Sequence, residues 1–343
     1  MRVVVTGGAG YVGSILVPML IQRGHEVVVF DAYLYGTSGV RTVPELIAER
    51  VNLHVVRGTL EDPPATLLAG ADAVIHLAGY SNDPTAEFSP KRTMVVNVTG
   101  TQKLLELAQA AQVERFVLAS SASLYDREGE STDVLDETAE IVPQSTYSKS
   151  KQLCEDLLFD SAIPCPLAFR KGTIFGWSPR MRWDLVLNTM VRDALLSGTI
   201  TVANAGLMWR PLLHVADAAR AYVFAVEAHE TLVKGQVFNV VQDNYEIKMV
   251  AAIVRELCDA FDYPVQIQLH PGVAKPRDYR ISGAKLAKVG FTPRVTVSKG
   301  AFEIVEKASL WSKKALADPH GENISWLRVM AEVSDLLASG VRP

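Results

Sequence analysis

The sequence predicts an α/β fold, a doubly wound parallel sheet followed by a smaller mixed C-terminal lobe. Three observations carry that prediction. Short β-branched runs alternate with longer amphipathic ones through the first half of the chain. The strand-like runs are apolar almost throughout, as strands buried on both faces are. A glycine-rich segment comes directly after the first of them. Strands alternating with helices read as βαβ units, which call for a parallel sheet with helices on both faces.

Arg2 to Thr6 is a strand, Tyr11 to Arg23 a helix, and Glu26 to Asp31, Leu53 to Arg57 and Ala73 to Leu77 are further strands. Pro90 to Ala111 is a long helix, Arg115 to Ser120 a strand, Tyr147 to Phe159 a helix and Pro166 to Phe169 a strand. Beyond Gly176 the rhythm loosens into segments rich in Trp, Pro and Arg, with helices over Leu185 to Leu196 and Lys248 to Phe261. This assigns residues 1–175, joined by 212–242, to the sheet domain, and 176–211 with 243–343 to the smaller lobe. Gly321-Glu322-Asn323 is expected to separate a final helix from the body.

With 343 residues, 48% hydrophobic and 21% charged, the chain can build a substantial core. A net charge of -4 without a run of Lys or Arg leaves no electrostatic footprint for nucleic acid or an anionic membrane, so neither is expected as a partner. Cys154, Cys165 and Cys258 show no Cys-x-x-Cys spacing, which fits a reducing compartment, and no metal constellation stands out. Glycines at 7, 8, 10 and 13 interrupt the apolar N-terminus, and no apolar run reaches the ~20 residues that span a bilayer. A cytoplasmic protein is expected.

Thr6-Gly7-Gly8-Ala9-Gly10-Tyr11-Val12-Gly13 lies between the first strand and the first helix. Glycines at 7 and 10 let backbone amides approach a pyrophosphate at a helix N-terminus, and Gly13 lets helix and strand pack closely. Asp31 ends the second strand, where a carboxylate accepts hydrogen bonds from both hydroxyls of an adenine ribose and repels a 2′-phosphate. Ala32 and Tyr33 come next, with no arginine before Arg41, so NAD is expected rather than NADP.

Tyr147 and Lys151 are four residues apart, just over one helical turn, which places phenol and ammonium on one face. A free tyrosine has a pKa of about 10, so a base working near neutrality needs a shift of about 3 units, roughly 4 kcal/mol. One cation at ~4 Å with an effective dielectric of ~20 supplies about that much. Alone, such a pair is commonly a surface helix face. The segments around it change its meaning.

Taken in order, these segments resemble the extended short-chain dehydrogenase/reductase family, in particular its NAD-dependent nucleotide-sugar epimerase/dehydratase branch. Thr6 to Gly13 is similar to the TGxxGxxG loop, His76-Leu77-Ala78-Gly79 to HLAA, Asn97-Val98-Thr99-Gly100-Thr101 to NvxGT, and Ser120 to Tyr125 to SSATVYG. The resemblance implies a Rossmann-type sheet domain and a catalytic set of Tyr147, Lys151 and Ser121. Tyr147 would take a proton from a sugar hydroxyl as hydride leaves the same carbon, with Lys151 depressing its pKa and binding the nicotinamide ribose. Gly7, Gly10, Tyr11, Val12, Gly13, Asp31, Leu60, Leu77, Ala78, Gly79 and Asn97 would hold NAD; His76 reads as a core histidine. Two positions depart from the pattern: Thr59 replaces the acid of the GDIRD-like segment, and Asp126 stands where glycine is usual.

The implied substrate is a nucleoside-diphosphate sugar, whose diphosphate suits guanidinium forks. Arg210, in Arg210-Pro211-Leu212-Leu213-His214-Val215, and Arg277, in Pro276-Arg277-Asp278-Tyr279-Arg280, are the expected diphosphate ligands. Ser81, Ser123, Thr173 and Asn188 are further substrate candidates, with Arg180 and Arg182 behind them. Dehydratases of this type carry Asp-Glu after the catalytic hydroxyl, and decarboxylases a Glu; here Ala122 and Ser123 occupy those positions. Epimerisation at sugar carbon 4 is therefore expected, with a 4,6-dehydratase or ketoreductase as the alternative and a non-catalytic NAD-binding sensor as the second. The family often dimerises through paired helices, which makes a homodimer a candidate assembly.

Overall fold

Seven parallel strands form the central sheet, in the order Gln236–Val240, Cys165–Lys171, Arg115–Ser121, Ala73–His76, Arg2–Thr6, Glu26–Asp31, Leu53–Arg57. This is a doubly wound Rossmann-type sheet, and the strand order reverses between Arg2–Thr6 and Ala73–His76, where Thr6 lies opposite His76. The computed structural model describes residues 1–36, 52–128, 133–272 and 277–338.

Side-chain alternation builds a core on each face of the sheet. Val3, Val5, Val27, Val29 and Ile75 pack with Leu16 and Leu20 of helix Gly13–Gln22 and with Tyr222 of helix Val215–Glu227. Val4, Val28, Phe30 and Val74 face the other way, against Leu104 and Leu105 of helix Gly100–Ala110 and Leu158 of helix Thr146–Phe159. Leu53–Arg57 departs from the doubly buried pattern: as an edge strand it leaves Val55 48% exposed.

The long helix expected over Pro90 to Ala111 is interrupted. Helices Pro90–Met94 and Gly100–Ala110 flank a π-helical turn, Val95–Thr99, and such a turn commonly marks a functional site.

The second lobe has its own core of Trp183, Leu187, Val191, Val250, Val254, Ile304 and Val305, supplied by the Trp183 segment and by helices Val186–Ser197, Ile247–Ala260 and Val297–Ala308. Strand Trp209–His214 runs between Thr173–Phe175, parallel, and Asp243–Glu246, antiparallel, so it carries the lobe from just past a main-sheet strand end. The final helix, Asn323–Ala338, corrects one expectation: it is not set apart. Trp183 N donates to Gly321 O at 2.6 Å and Trp326 Nε1 to Leu34 O at 2.7 Å, fastening the helix start to both parts of the chain. Among the described residues no helix is long and apolar enough to cross a membrane.

Candidate active site

The glycine loop is shaped for close approach. Gly7 lies in the left-handed region at φ +72°, and a Cβ there would come within 2.8 Å of Ala78 N. At Gly13 a Cβ would sit 2.6 Å from the Gly8 backbone and closer still to Gly7 O, so helix Gly13–Gln22 packs directly against the loop. Gly10 N closes the turn by donating to Gly7 O at 3.0 Å. Asp31 anchors the loop from the next strand: Ala9 N donates to its Oδ2 at 3.0 Å and Tyr33 N to its Oδ1 at 2.7 Å. Ala32 N bonds it as well, so of a carboxylate's roughly four acceptor positions about one is left for the ribose hydroxyls. Burial raises the Asp31 carboxyl pKa, against the pull of those amides.

Helix Thr146–Phe159 places the pair expected to be catalytic. Ser145 caps it, accepting from Ser148 N at 3.1 Å while Ser148 Oγ accepts from Ser145 N at 3.0 Å, a reciprocal box that fixes where the helix begins. Tyr147 is thus in the first turn and Lys151 one turn on, its Nζ 5.9 Å from the centre of the Tyr147 ring. Ser121 ends strand Arg115–Ser121. Ser123 N and Oγ donate to Ser121 Oγ at 3.2 and 2.9 Å, and the Ser121 hydroxyl hydrogen-bonds the Tyr147 phenol.

Burial pushes the Tyr147 phenol well above its ordinary range, with the Ser121 hydrogen bond and the Arg182 charge pulling it down and Asp83 raising it. Lys151 is not among the largest influences on the phenol here. Burial also lowers Lys151, so in the dry site the ammonium is itself discouraged.

The opposite wall is braced from behind. Leu77, Ala78 and Gly79 come just after strand Ala73–His76 and line the cleft. Asn97, in the π turn, does not line it: its Nδ2 donates to Tyr80 O at 3.1 Å and Ser150 Oγ at 3.0 Å, and its Oδ1 accepts from Tyr80 N at 2.8 Å. It ties the loop after Gly79 to the helix of Tyr147, so its role is to position other residues. His76 is a buried core residue between Thr6 Oγ1 at 2.7 Å and Thr101 Oγ1 at 2.9 Å, its pKa lowered to about 3 by burial and then by Lys151.

All these elements open on one cleft of about 770 Å³, lined also by Tyr11, Val12, Leu60, Ser81, Ser123 and Thr173. Asn188 is a correction. It is fully buried, its Nδ2 donating to Tyr11 Oη at 3.1 Å and Arg182 O at 2.8 Å while its Oδ1 accepts from Gly176 N at 3.1 Å, so it holds the wall in place. Arg210 does not line the cleft; its guanidinium donates to Trp209 O at 2.8 Å and lies 5.3 Å from the centre of the Tyr279 ring, which does. The Arg277 side chain and Arg41 lie outside what the structure describes; strand Arg277–Asp278 itself pairs antiparallel with Arg127–Glu128. At Asp126 the backbone is extended (φ −60°, ψ 113°), a conformation open to any residue, so the missing glycine costs nothing.

A glycine turn at the switch point, the Asp31 carboxylate and Ser121, Tyr147 and Lys151 share this cleft. Residues 3–240 match the model of the NAD dependent epimerase/dehydratase family. The chain belongs to that family. Among similar proteins, UDP-glucuronic acid decarboxylase 3 of Arabidopsis thaliana is 26% identical over 307 residues, covering 88% of this chain and 86% of that one. A UDP-glucuronic acid 4-epimerase from Bacillus cereus, solved with UDP-glucuronic acid and NAD, superposes with a TM-score of 0.78 at 23% identity, over 90% of this chain and 100% of that one. A dTDP-glucose 4,6-dehydratase from Bacillus anthracis, in complex with NAD, gives 0.75 at 23% identity, over 92% and 99%. These two structures share the fold.

For a member of this NAD-dependent family the groups present fit the cofactor: a loop with no room for a Cβ at Gly7 or Gly13, a carboxylate with acceptor capacity left at the end of the second strand, and a lysine beside the phenol. Arg180 and Arg182 line the cleft as well, and with them come residues that sequence reasoning missed: Tyr35, Asn323, Lys171 and Tyr222. Tyr35 stacks 4.2 Å under the Arg180 guanidinium, and Arg180 Nη2 donates to Asn323 Oδ1 at 2.7 Å. Arg182 holds Asp184 through two hydrogen bonds and donates to Ser81 Oγ at 3.1 Å. Lys171 and Tyr222 line the floor beside Ser121. Of the missed residues only Lys171 left a signal: with Arg170 it closes an otherwise apolar strand run.

Proposed function

We propose that this protein is an NAD-dependent nucleotide-sugar epimerase acting at sugar carbon 4 through a transient 4-keto intermediate. The observation that carries the reading is the chain of hydroxyls from Ser123 through Ser121 to Tyr147, followed at Ala122 by a side chain without acid or base, at the position where elimination would need one. In this reading Ser121 and Tyr147 hold the 4-hydroxyl. Tyr147 Oη takes its proton, and bound NAD supplies an acceptor for the C4 hydride and its source on the return. Lys151 orients the nicotinamide ribose. The cleft volume of about 770 Å³ leaves room for the keto sugar to turn its other face to the cofactor before Tyr147 returns the proton. Arg210 is the proposed diphosphate ligand, through its place against Tyr279; Arg277 joins it because Asp278, its neighbour, accepts from Trp209 N at 2.9 Å.

The 4,6-dehydratase reading has one observation in its favour. Asp83 lines the cleft and acts electrostatically on Tyr147, but it lies in the first turn of helix Asp83–Phe88 and not directly after Ser121, where a dehydratase's acid is expected. Decarboxylation has the similar plant enzymes in its favour and Ser123, rather than a glutamate, against it. Incubation with a panel of nucleotide sugars separates the three. An epimerase yields a product of unchanged mass with no net NADH, whereas a product lighter by one water or one carbon dioxide would overturn the proposal.

A further inference from the structure

Arg180 is a buried cation to which proton and hydride transfer at carbon 4 give no task. It is 3% exposed yet lines the cleft. Its partners are neutral: Nη2 donates to Asn323 Oδ1 at 2.7 Å, and the guanidinium lies 4.2 Å from the centre of the Tyr35 ring. Nε has no hydrogen-bond partner among the described residues. The carboxylates that act on it electrostatically are engaged elsewhere. Asp184 accepts two hydrogen bonds from Arg182 and one from Asn82, and Asp31 accepts from backbone amides. Burial and then the Arg182 charge lower the Arg180 pKa to about 10, so the charged form is short of a compensating anion. Burying such a cation is costly, and the cost is recovered if a ligand supplies the anion.

The backbone that carries Arg180 is fastened to the glycine turn. Tyr11 Oη donates to Gly176 O at 2.6 Å, while Ser178 Oγ donates to Tyr11 O at 2.7 Å and hydrogen-bonds Ser14 Oγ at 2.8 Å. Arg180 follows two residues later, at most about 7 Å of chain beyond Ser178. Its side chain is thereby held near the N-terminus of helix Gly13–Gln22, the kind of place where a dinucleotide's pyrophosphate docks. The charge of Asp31, the expected ribose acid, reaches it too.

We propose that Arg180 is a cofactor-binding residue whose guanidinium binds the pyrophosphate of NAD together with the backbone amides of the glycine turn. A planar fork with N–H groups to spare suits a phosphate, and Asn323, the first residue of the final helix, steers it from behind. A nucleotide sugar carries a diphosphate as well, but Tyr11, Ser14 and Asp31 place this cation on the cofactor's half of the cleft. The assignment holds whichever reaction follows binding, so it stands apart from the epimerase reading.

Calorimetric titration of the full-length protein with NAD and with ADP-ribose tests it. Arg180→Met should weaken both by the same factor, about 10–100-fold, the size of a lost charge-assisted contact. Arg180→Lys keeps the charge without the fork and should recover part of that loss. NAD affinity should also fall less steeply with salt in Arg180→Met than in the wild type. Asn323→Ala, which leaves the guanidinium and removes its tether, should cost about threefold or less. Arg180→Met exchanges an unpaired buried cation for an apolar stem, so without nucleotide its melting temperature should stay close to that of the wild type, which guards against a folding artefact. Unchanged NAD binding would overturn the proposal, and a fall in UDP-glucose affinity in its place would give the guanidinium to the substrate's diphosphate. A loss for NAD but not for ADP-ribose would move it to the nicotinamide end, and an equal loss in Asn323→Ala would reduce Arg180 to a support for the final helix; either result overturns the assignment too.

Discussion

Tyr147→Phe should lower kcat by about 10²–10⁴-fold, the usual contribution of a positioned acid-base group, with NAD affinity and melting temperature nearly unchanged. The phenylalanine ring keeps the packing of helix Thr146–Phe159 and removes only the oxygen that accepts the Ser121 hydrogen bond. Burial holds the phenol protonated near neutrality, so kcat/KM in the wild type should rise with pH as the phenol of the free enzyme ionises. That rising limb should vanish in the variant. Steady-state rates across pH, alongside NAD titration and thermal melts, check both statements; a variant within tenfold of wild type would remove Tyr147 from the chemistry.

Gly13→Ala should cost about 100-fold or more in NAD affinity and about 1–3 kcal/mol in stability, because the three nearest atoms that the new methyl meets are all backbone. A side chain could swing aside; Gly7 O and the Gly8 backbone cannot move without opening the loop that cradles the pyrophosphate. The three motif glycines should also rank. At Gly10 a Cβ meets only Gly7 O, at 3.1 Å, so Gly10→Ala should be milder, and Gly7→Ala adds strain at φ +72° to a contact with Ala78 N. Fluorescence titration with NAD and urea denaturation read the two effects separately. A Gly13→Ala protein that binds NAD like wild type would contradict the close packing of the loop against its helix.

The parallel sheet was legible because its strands announce themselves twice, by β-branched composition and by the residues at their C-terminal ends. Arg2 to Thr6 and Glu26 to Asp31 end where the structure ends them, since a glycine turn closes the first and an acid the second. The π turn at Val95–Thr99 was not legible, because its residues keep helical periodicity on either side and only the tertiary bonds of Asn97 require the extra residue. Asn188 came from the likeness of its helix to the family's substrate-binding helix, and such a likeness does not show that its side chain is buried among Tyr11, Gly176 and Arg182. Arg180 and Asn323 are 143 residues apart, and no local pattern links them. Lys171 and Tyr222 meet through a strand register and a helix face, a pairing that only the assembled sheet defines.

The most direct test of reversible oxidation at carbon 4 tracks a label at that carbon. A nucleotide sugar that the protein turns over is prepared with deuterium at C4 and incubated with the NAD-loaded enzyme, and the product is read by mass and by NMR. The account predicts a product of inverted configuration at C4 that keeps the deuterium there, with no NADH accumulating. Loss of the label to solvent, deuterium at another carbon or a build-up of NADH would contradict it.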